Sequence, residues 1–343
     1  AISQSALAHN LSVVRTYAAD AKVVCMVKAN AYGHHLDLVS PLMQADILAV
    51  SELSEVRKLR KLSGKPILLL PGVFNENDLH EAIDLGCHLV LHELSQLTII
   101  ANSKQAISVW LKVDTGMHRL GLSQQDLTTC LTQLKNHSNI HIECVMSHFA
   151  CADEPGHQKN TQQLDHFNQL KISEISRSMA NSAAILSLEE SHFNYVRPGI
   201  MLYGASPFST IDEQLLPVME LSAPVISLKK ISAGESAGYG ATWQAKEATN
   251  IAIIGIGYGD GYPRHAKNGT PVLINNTLCS LAGRVSMDLI CVDIGNLNVS
   301  IGDKAILWGH NKLRVETVAT YSDTISYELL TGVSNRVSFI THE

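Results

Sequence analysis

The sequence predicts an α/β protein in which a (β/α)8 TIM-type barrel is followed by a mostly β C-terminal domain. Three observations carry this reading. Eight short apolar stretches recur through the first two-thirds of the chain, and helical patterns follow most of them. The G-x-G-x-x-G turn that an open nucleotide-binding sheet places after its first strand is missing, which favours the closed barrel. From about Pro217 the texture changes to β-rich segments separated by glycine turns. The expected domains are residues 1–217 and 218–343.

In chain order, barrel strands are expected at residues 23–27, 46–50, 67–70, 88–91, 107–113 and 141–147. A short piece near Met179 and a last strand at 193–196 complete the eight. Most are brief runs rich in Val, Ile and Leu, the composition of strands covered on both faces. Amphipathic helices fill the gaps. Residues 77–85, for example, place Leu79 and Ile83 on one face and stop at Gly86, where glycine readily takes the left-handed cap. In the second domain, strands are expected at 223–228, 250–256, 270–274, 289–294 and 304–307, with one helix near Val315–Tyr321.

Composition narrows the function classes. With 343 residues, 45% apolar and 17% charged, the chain has the make-up of about two globular domains. A net charge of −6 without a clustered basic patch argues against a nucleic-acid partner. No apolar run approaches the roughly 20 residues of a membrane helix, so no membrane partner is expected. The seven cysteines are widely spaced and show no C-x-x-C. That pattern, with no charged-then-apolar leader at the N-terminus, suggests a reducing, cytoplasmic setting. The sixteen histidines show no metal-ligand spacing, and no metal is expected.

The residues that could carry chemistry gather at predicted strand ends. Lys28 closes the first strand in V-K-A-N-A-Y-G-H-H. The C-terminal strand ends form the active-site face of such barrels, and a desolvated lysine can form a Schiff base. Taken alone, it reads as a surface lysine capping a strand. Its company changes that reading: Lys112 and Arg119 in K-V-D-T-G-M-H-R-L-G, His148, Asn181–Ser182, and Arg197 with Gly199 in V-R-P-G-I. The last two groups follow the seventh and eighth strands, where barrels often hold a phosphate. A lysine, phosphate-type loops and an arginine together suggest pyridoxal 5'-phosphate.

At this point the sequence resembles the alanine racemase family essentially from end to end. The motifs are V-K-A-N-A-Y-G-H, V-D-T-G-M-H-R-L-G, V-R-P-G-I-M-L-Y-G, S-A-G-Y-G-A-T-W, G-Y-G-D-G-Y-P-R and G-R-V-S-M-D. The resemblance implies reversible interconversion of L-alanine and D-alanine, supplying D-alanine for peptidoglycan, by a homodimer with shared active sites. Lys28 would bind the cofactor and act as the base on one face of the substrate Cα. Tyr239 of the partner subunit would act on the other face, because inverting a stereocentre removes a proton on one side and returns it on the opposite one. A tyrosine ordinarily ionises near about pH 10, so nearby positive charge, with His148 and the arginines as sources, is expected to activate it.

Further roles follow from the same resemblance. Arg197 would hydrogen-bond the pyridine nitrogen; an arginine keeps its proton, leaving the ring a weaker electron sink and suppressing transamination. Tyr32, Ser182 and Tyr327 hydroxyls, with the N–H groups of Gly199 and Ile200, would hold the phosphate. His148 would buttress Arg197, and Asn181 is grouped with the cofactor-binding residues. Arg119 would lie near the cofactor's phenolic oxygen and the substrate carboxylate. Tyr258 and Met287 would serve the substrate entrance and carboxylate from the partner subunit. Lys112 matches a lysine that is carbamylated in some members, the alternative being an unmodified lysine paired with an acid.

Two departures stand out. Ser286 replaces a common cysteine, and His34–His35 replaces the more usual His-Gly, so the loop after Tyr32 is expected to turn differently. The alternative function is a broad-specificity amino-acid racemase of the same fold. A decarboxylase of basic amino acids would carry a glutamate where Arg197 stands. A single-barrel pyridoxal phosphate carrier would end before Tyr239.

Overall fold

The computed structural model describes residues 1–172 and 174–342. The chain divides into two compact units. One comprises Ala8–Ala31 and His35–Leu202; the other comprises Ala1–Leu7, Tyr32–His34 and the chain from Tyr203 onward.

In the first unit, eight parallel strands close into a barrel in chain order, as the sequence predicts. They are β1 (Lys22–Met26), β2 (Ile47–Val50), β3 (Ile67–Leu69), β4 (Cys87–Leu91), β5 (Ile107–Lys112), β6 (Ile140–Met146), β7 (Ser176–Ser178) and β8 (Tyr195–Val196). Between them lie α1 (Leu53–Leu62), α2 (Glu76–Asp84), α3 (Leu94–Ala101), α4 (Gln124–Leu134), α5 (Gln158–Asn168) and α6 (Ser182–Ser187). The helices cover the outer face, which explains why β2 and β3 are buried along their whole length. α2 begins at an Asn75 cap that accepts from the Asp78 N–H. It buries Leu79 and Ala82, while Ile83 is only half-buried.

Two barrel strands depart from expectation. The seventh is the polar triplet Ser176–Ser178, ahead of Met179, because its side chains serve hydrogen bonds: Ser178 Oγ donates to the Tyr195 carbonyl at 2.8 Å. The eighth starts only at Tyr195, since Phe193 adopts φ +49° and cannot extend the ladder. At the N-terminal end of the barrel, Trp110 and Tyr195 pack with ring centroids 4.8 Å apart, and the Tyr195 hydroxyl donates to Glu143. Side chains alternate along a strand, so Lys112 and Arg197, two residues further on, project from the same strand faces nearer the opposite end.

In the second unit, six antiparallel strands form a smaller closed barrel. They are β9 (Leu221–Ile231), β10 (Thr249–Ile254), β11 (Pro271–Ile274), β12 (Thr277–Leu281), β13 (Ile290–Gly295) and β14 (Lys304–Trp308), in the order β9-β10-β13-β12-β11-β14. The reading of a mostly β domain holds, but β12 escaped it. Asn275 and Asn276, at φ +45° and +61°, make a two-residue hairpin turn that joins β11 to β12. Helix α7 falls at Val315–Tyr321, and a second helix, α8 (Ser326–Thr331), follows it. Ile2–Ser3 pairs in parallel with Thr341–His342.

Candidate functional site

Lys28 stands just past β1, where the Val27 N–H still bonds the Ala49 carbonyl at 2.9 Å. Burial, then the positive charge of Arg119, depresses its pKa, while Glu55 pulls the other way. Past the lysine the backbone winds left-handed: Ala29, Asn30, Ala31 and Tyr32 have φ of +52°, +52°, +58° and +51°. Such a run costs on the order of 1–2 kcal/mol per non-glycine residue. Local bonds hold it. Glu55 accepts from the N–H groups of Asn30 at 2.9 Å and Ser51 at 3.1 Å, and Asn30 Oδ1 accepts from the Leu36 N–H at 3.1 Å.

Lys112 closes β5 beside the same charges. Burial, followed by Arg197, Arg119 and Lys28, lowers its pKa to about 8. Among the described residues Lys112 forms no ion pair, and the negative charge of its neighbour Asp114 only partly opposes that lowering. Arg119 is exposed on a loop whose base is pinned by Asp114, which accepts from the N–H groups of Gly116 at 2.8 Å and His118 at 3.1 Å. Gly121 permits the return of that loop: at φ +145°, a Cβ there would meet the Asp114 nitrogen at 2.4 Å.

Arg197 is buried and spends its Nη groups on the barrel. Nη1 donates to Ser178 Oγ at 2.6 Å; Nη2 donates to the carbonyls of Ser147 and Met179 and to His148 Nδ1, the last at 3.3 Å. Burial lowers its pKa to about 10, so it remains a cation near neutral pH. An arginine can only donate, which makes His148 Nδ1 the acceptor and leaves the imidazole proton on Nε2. Burial and then Arg197, Lys112, Arg119 and Lys28 drive the His148 pKa far down. His148 is therefore neutral, a correction to its expected use as a source of positive charge. Gln163 holds the loop after β6, donating to the His148 carbonyl at 3.0 Å and accepting from the Ala150 N–H at 2.9 Å.

Asn181 caps α6, its Oδ1 accepting from the Ala184 N–H at 3.1 Å. That cap brings Ser182 to the first helical turn, where its Oγ accepts from the Gly199 N–H at 2.8 Å and the Met201 N–H at 3.5 Å. The Ser182 hydroxyl proton stays available to an anion, and Ile200 opens a 3₁₀ turn within which its own N–H has no acceptor. A buried amine of depressed pKa, an all-donor arginine and this anion-accepting corner fit the aldehyde, ring nitrogen and phosphate of pyridoxal 5'-phosphate. Among the described residues, no cluster of His, Cys, Asp and Glu could hold a metal ion, and no helix is long and apolar enough to cross a membrane.

The remaining candidates belong to the second unit. Tyr32 stacks on Tyr203 at 4.8 Å and lies 6.1 Å from Tyr327, and burial pushes its pKa up to about 12. His34 is buried and packs on the Tyr203 ring at 4.6 Å. His35, back in the first unit, takes φ +65°, a left-handed conformation that favours glycine. Tyr239 is 67% exposed at the tip of the hairpin formed by Ser236–Ala237 and Trp243–Gln244. Gly238 and Gly240, at φ +74° and +73°, flank it. Tyr258 and Met287 come from separate motifs that the backbone joins: Tyr258 N–H donates to the Ser286 carbonyl at 3.0 Å, and Gly259 N–H to the Met287 carbonyl at 2.8 Å.

Motif reading missed Glu55, Gln163, Ser178 and Tyr203. Tyr203 had a signal, being the tyrosine of V-R-P-G-I-M-L-Y-G; the other three carry none, since their partners are remote in sequence.

The chain matches family models described as "Alanine racemase, N-terminal domain" over residues 2–207 and "Alanine racemase, C-terminal domain" over residues 218–341. It is 61% identical over 341 residues to the alanine racemase of Vesicomyosocius okutanii subsp. Calyptogena okutanii, covering 99% of this chain and 97% of that protein. It resembles the crystal structure of the biosynthetic alanine racemase from Pseudomonas aeruginosa with a TM-score of 0.95 at 40% identity, covering 100% of this chain and 98% of that one. The alanine racemase from Bartonella henselae, with covalently bound pyridoxal phosphate, matches with a TM-score of 0.91 at 28% identity, covering 99% and 98%.

Proposed function

The chain belongs to the alanine racemase family, and from that premise we propose that it interconverts L-alanine and D-alanine using pyridoxal 5'-phosphate. The observation that carries the proposal is the grouping of Lys28, Lys112, Arg119 and Arg197 around a neutral His148 at one end of the first barrel. When bound, the cofactor draws electrons from the substrate Cα and acidifies its hydrogen.

The chain's residues divide the remaining work. Lys28 would hold the cofactor and then exchange a proton with one face of Cα, a task its burial favours by disfavouring the charged amine. Tyr239 of a second copy would exchange the proton on the other face, which accounts for an exposed tyrosine on a hairpin tip. Arg197 would donate to the ring nitrogen while keeping its own proton, with His148 steadying it at Nδ1. Ser182, Gly199 and Ile200, together with Tyr32 and Tyr327, would bind the phosphate, and Asn181 would orient Ser182 through its cap. Arg119 would take the substrate carboxylate and the phenolic oxygen. The partner's Tyr258 and the Met287 N–H would line the approach and help hold that carboxylate. Carbamylation of Lys112 would replace a crowded cation with an anion beside Arg119.

We propose further that the protein is a cytoplasmic homodimer whose second domain completes the other subunit's site, and that it supplies D-alanine for peptidoglycan. A chiral assay of the purified protein with pyridoxal phosphate tests the activity, with L-alanine run beside L-serine, L-lysine and L-arginine. Rapid D-alanine formation with little turnover of the others supports the narrow racemase. Comparable racemisation of the larger substrates moves it to the broad-specificity alternative, and no D-amino acid at all overturns the proposal.

A further inference from the structure

We propose that Glu55 is the positioning residue of Lys28, its carboxylate bridging the left-handed turn after the lysine to the end of the neighbouring strand β2. The inference rests on the reading of Lys28 as a base. Glu55 sits in the first turn of α1 and gives each oxygen to a different segment: Oε1 to the Asn30 N–H at 2.9 Å and Oε2 to the Ser51 N–H at 3.1 Å. Ser51 directly follows β2, the strand that pairs with β1, so the carboxylate ties two adjacent strand ends together. Charge-assisted bonds of this kind are the strong class. They fall where the backbone needs them, on a run of non-glycine residues at φ near +52° to +58°.

The charge has a second effect. Among the described residues Glu55 forms no ion pair, so its negative charge is left unneutralised within reach of Lys28. It opposes burial and the Arg119 guanidinium, which both favour the neutral amine. Glu55 therefore has two separable jobs: it fixes the direction of the turn, and it keeps the lysine from losing its proton too readily. A purely structural acid would do the first and not the second.

Three variants separate these jobs. Glu55→Gln keeps the size but removes the charge and turns an N–H-bearing group toward one backbone donor. Glu55→Asp keeps the charge but is too short to reach both N–H groups. Glu55→Gln with Ala29→Gly puts glycine where φ is +52°, a conformation glycine takes freely. The full-length protein, stripped of cofactor, is labelled with an amine-specific acylating reagent across pH, and the midpoint at Lys28 is read by mass spectrometry beside the thermal melt.

In Glu55→Gln the Lys28 midpoint should fall by about half to one pH unit, and the melt should drop. The glycine double variant should recover the melt and keep the shifted midpoint. Glu55→Asp should keep the parental midpoint and lose melting temperature. With cofactor, kcat of Glu55→Gln should fall about tenfold while KM changes less. An unshifted midpoint in folded Glu55→Gln overturns the proposal; should that variant not fold, an unchanged melt in Glu55→Asp overturns it instead. Failure of the parent protein to racemise alanine would overturn the proposed function, while the labelling and melting results would still decide the role of Glu55.

Discussion

A lysine whose pKa lies at about 8 instead of the ordinary 10.5 is chemically a different group, and Lys112 is such a lysine. At pH 7 the neutral amine would make up about 9% of the population, against about 0.03% for an unperturbed side chain, a gain of roughly 300-fold. Neutral amines add to carbon dioxide: the nitrogen lone pair bonds the carbon, a C=O electron pair moves onto oxygen, and one proton passes to water. Because the ammonium first sheds its own proton to give that neutral amine, two protons leave in all and a +1 group becomes a −1 group. Around Lys112 the charges of Arg197, Arg119 and Lys28 favour that exchange, because each lowers the cationic form and would stabilise the anion. The protein is stripped of carbon dioxide, given ¹³C-bicarbonate, and followed by ¹³C NMR from pH 6 to 9. One slowly exchanging carbamate resonance should appear, and it should vanish in Lys112→Arg. Absence of the signal in the parent protein at pH 8, or its survival in Lys112→Arg, would refute the reasoning.

Other outcomes follow from the same structure. In buffer free of carbon dioxide, stability should climb between pH 8 and 10.5, since in that window the unfolded chain keeps a proton on Lys112 that the folded chain has shed. Lys112→Met should remove this slope and stabilise the protein at pH 7 by at most roughly 3 kcal/mol; a melt indifferent to the substitution counts against the depressed pKa. Tyr239→Phe should retain cofactor and melting temperature but slow Cα–H exchange into deuterated solvent from one enantiomer by about 100-fold or more. Equal loss from both enantiomers would end the two-base assignment. Ser182→Ala should weaken phosphate-dependent cofactor retention by about 10-fold to 100-fold, as expected for a hydrogen bond to a charged group, measured by equilibrium dialysis. Trp110→Ala, opening a hole in the floor of the barrel, should cost about 3–5 kcal/mol in denaturant unfolding.

Much of this site is legible in the sequence because a parallel barrel sends every strand's C-terminal end to the same face. Once eight strands are counted, Lys28, Lys112, His148, Ser182 and Arg197 must share an end, whatever the precise packing. Tyr239 is singled out only by the family resemblance; its place at a hairpin tip is a finding of the structure. Strand limits were less legible where a strand is polar or starts late, as at Ser176–Ser178 and Tyr195–Val196. There the ladder is decided by side-chain hydrogen bonds and by the left-handed Phe193, neither of which leaves an apolar run.

Local pattern thus determined the fold class and which candidate residues stand at strand ends, because strand alternation and strand ends depend on near neighbours along the chain. Tertiary structure decided the electrical state of those residues. His148 is neutral and the Lys112 pKa is lowered to about 8 because burial and three or four cations act on each of them, and those cations come from positions scattered along the chain from Lys28 to Arg197. Glu55 reaches Asn30 across 25 positions and Gln163 reaches the His148 carbonyl across 15. No spacing rule encodes such bonds, since a hydrogen bond is set by distance in space and the fold alone brings those atoms together.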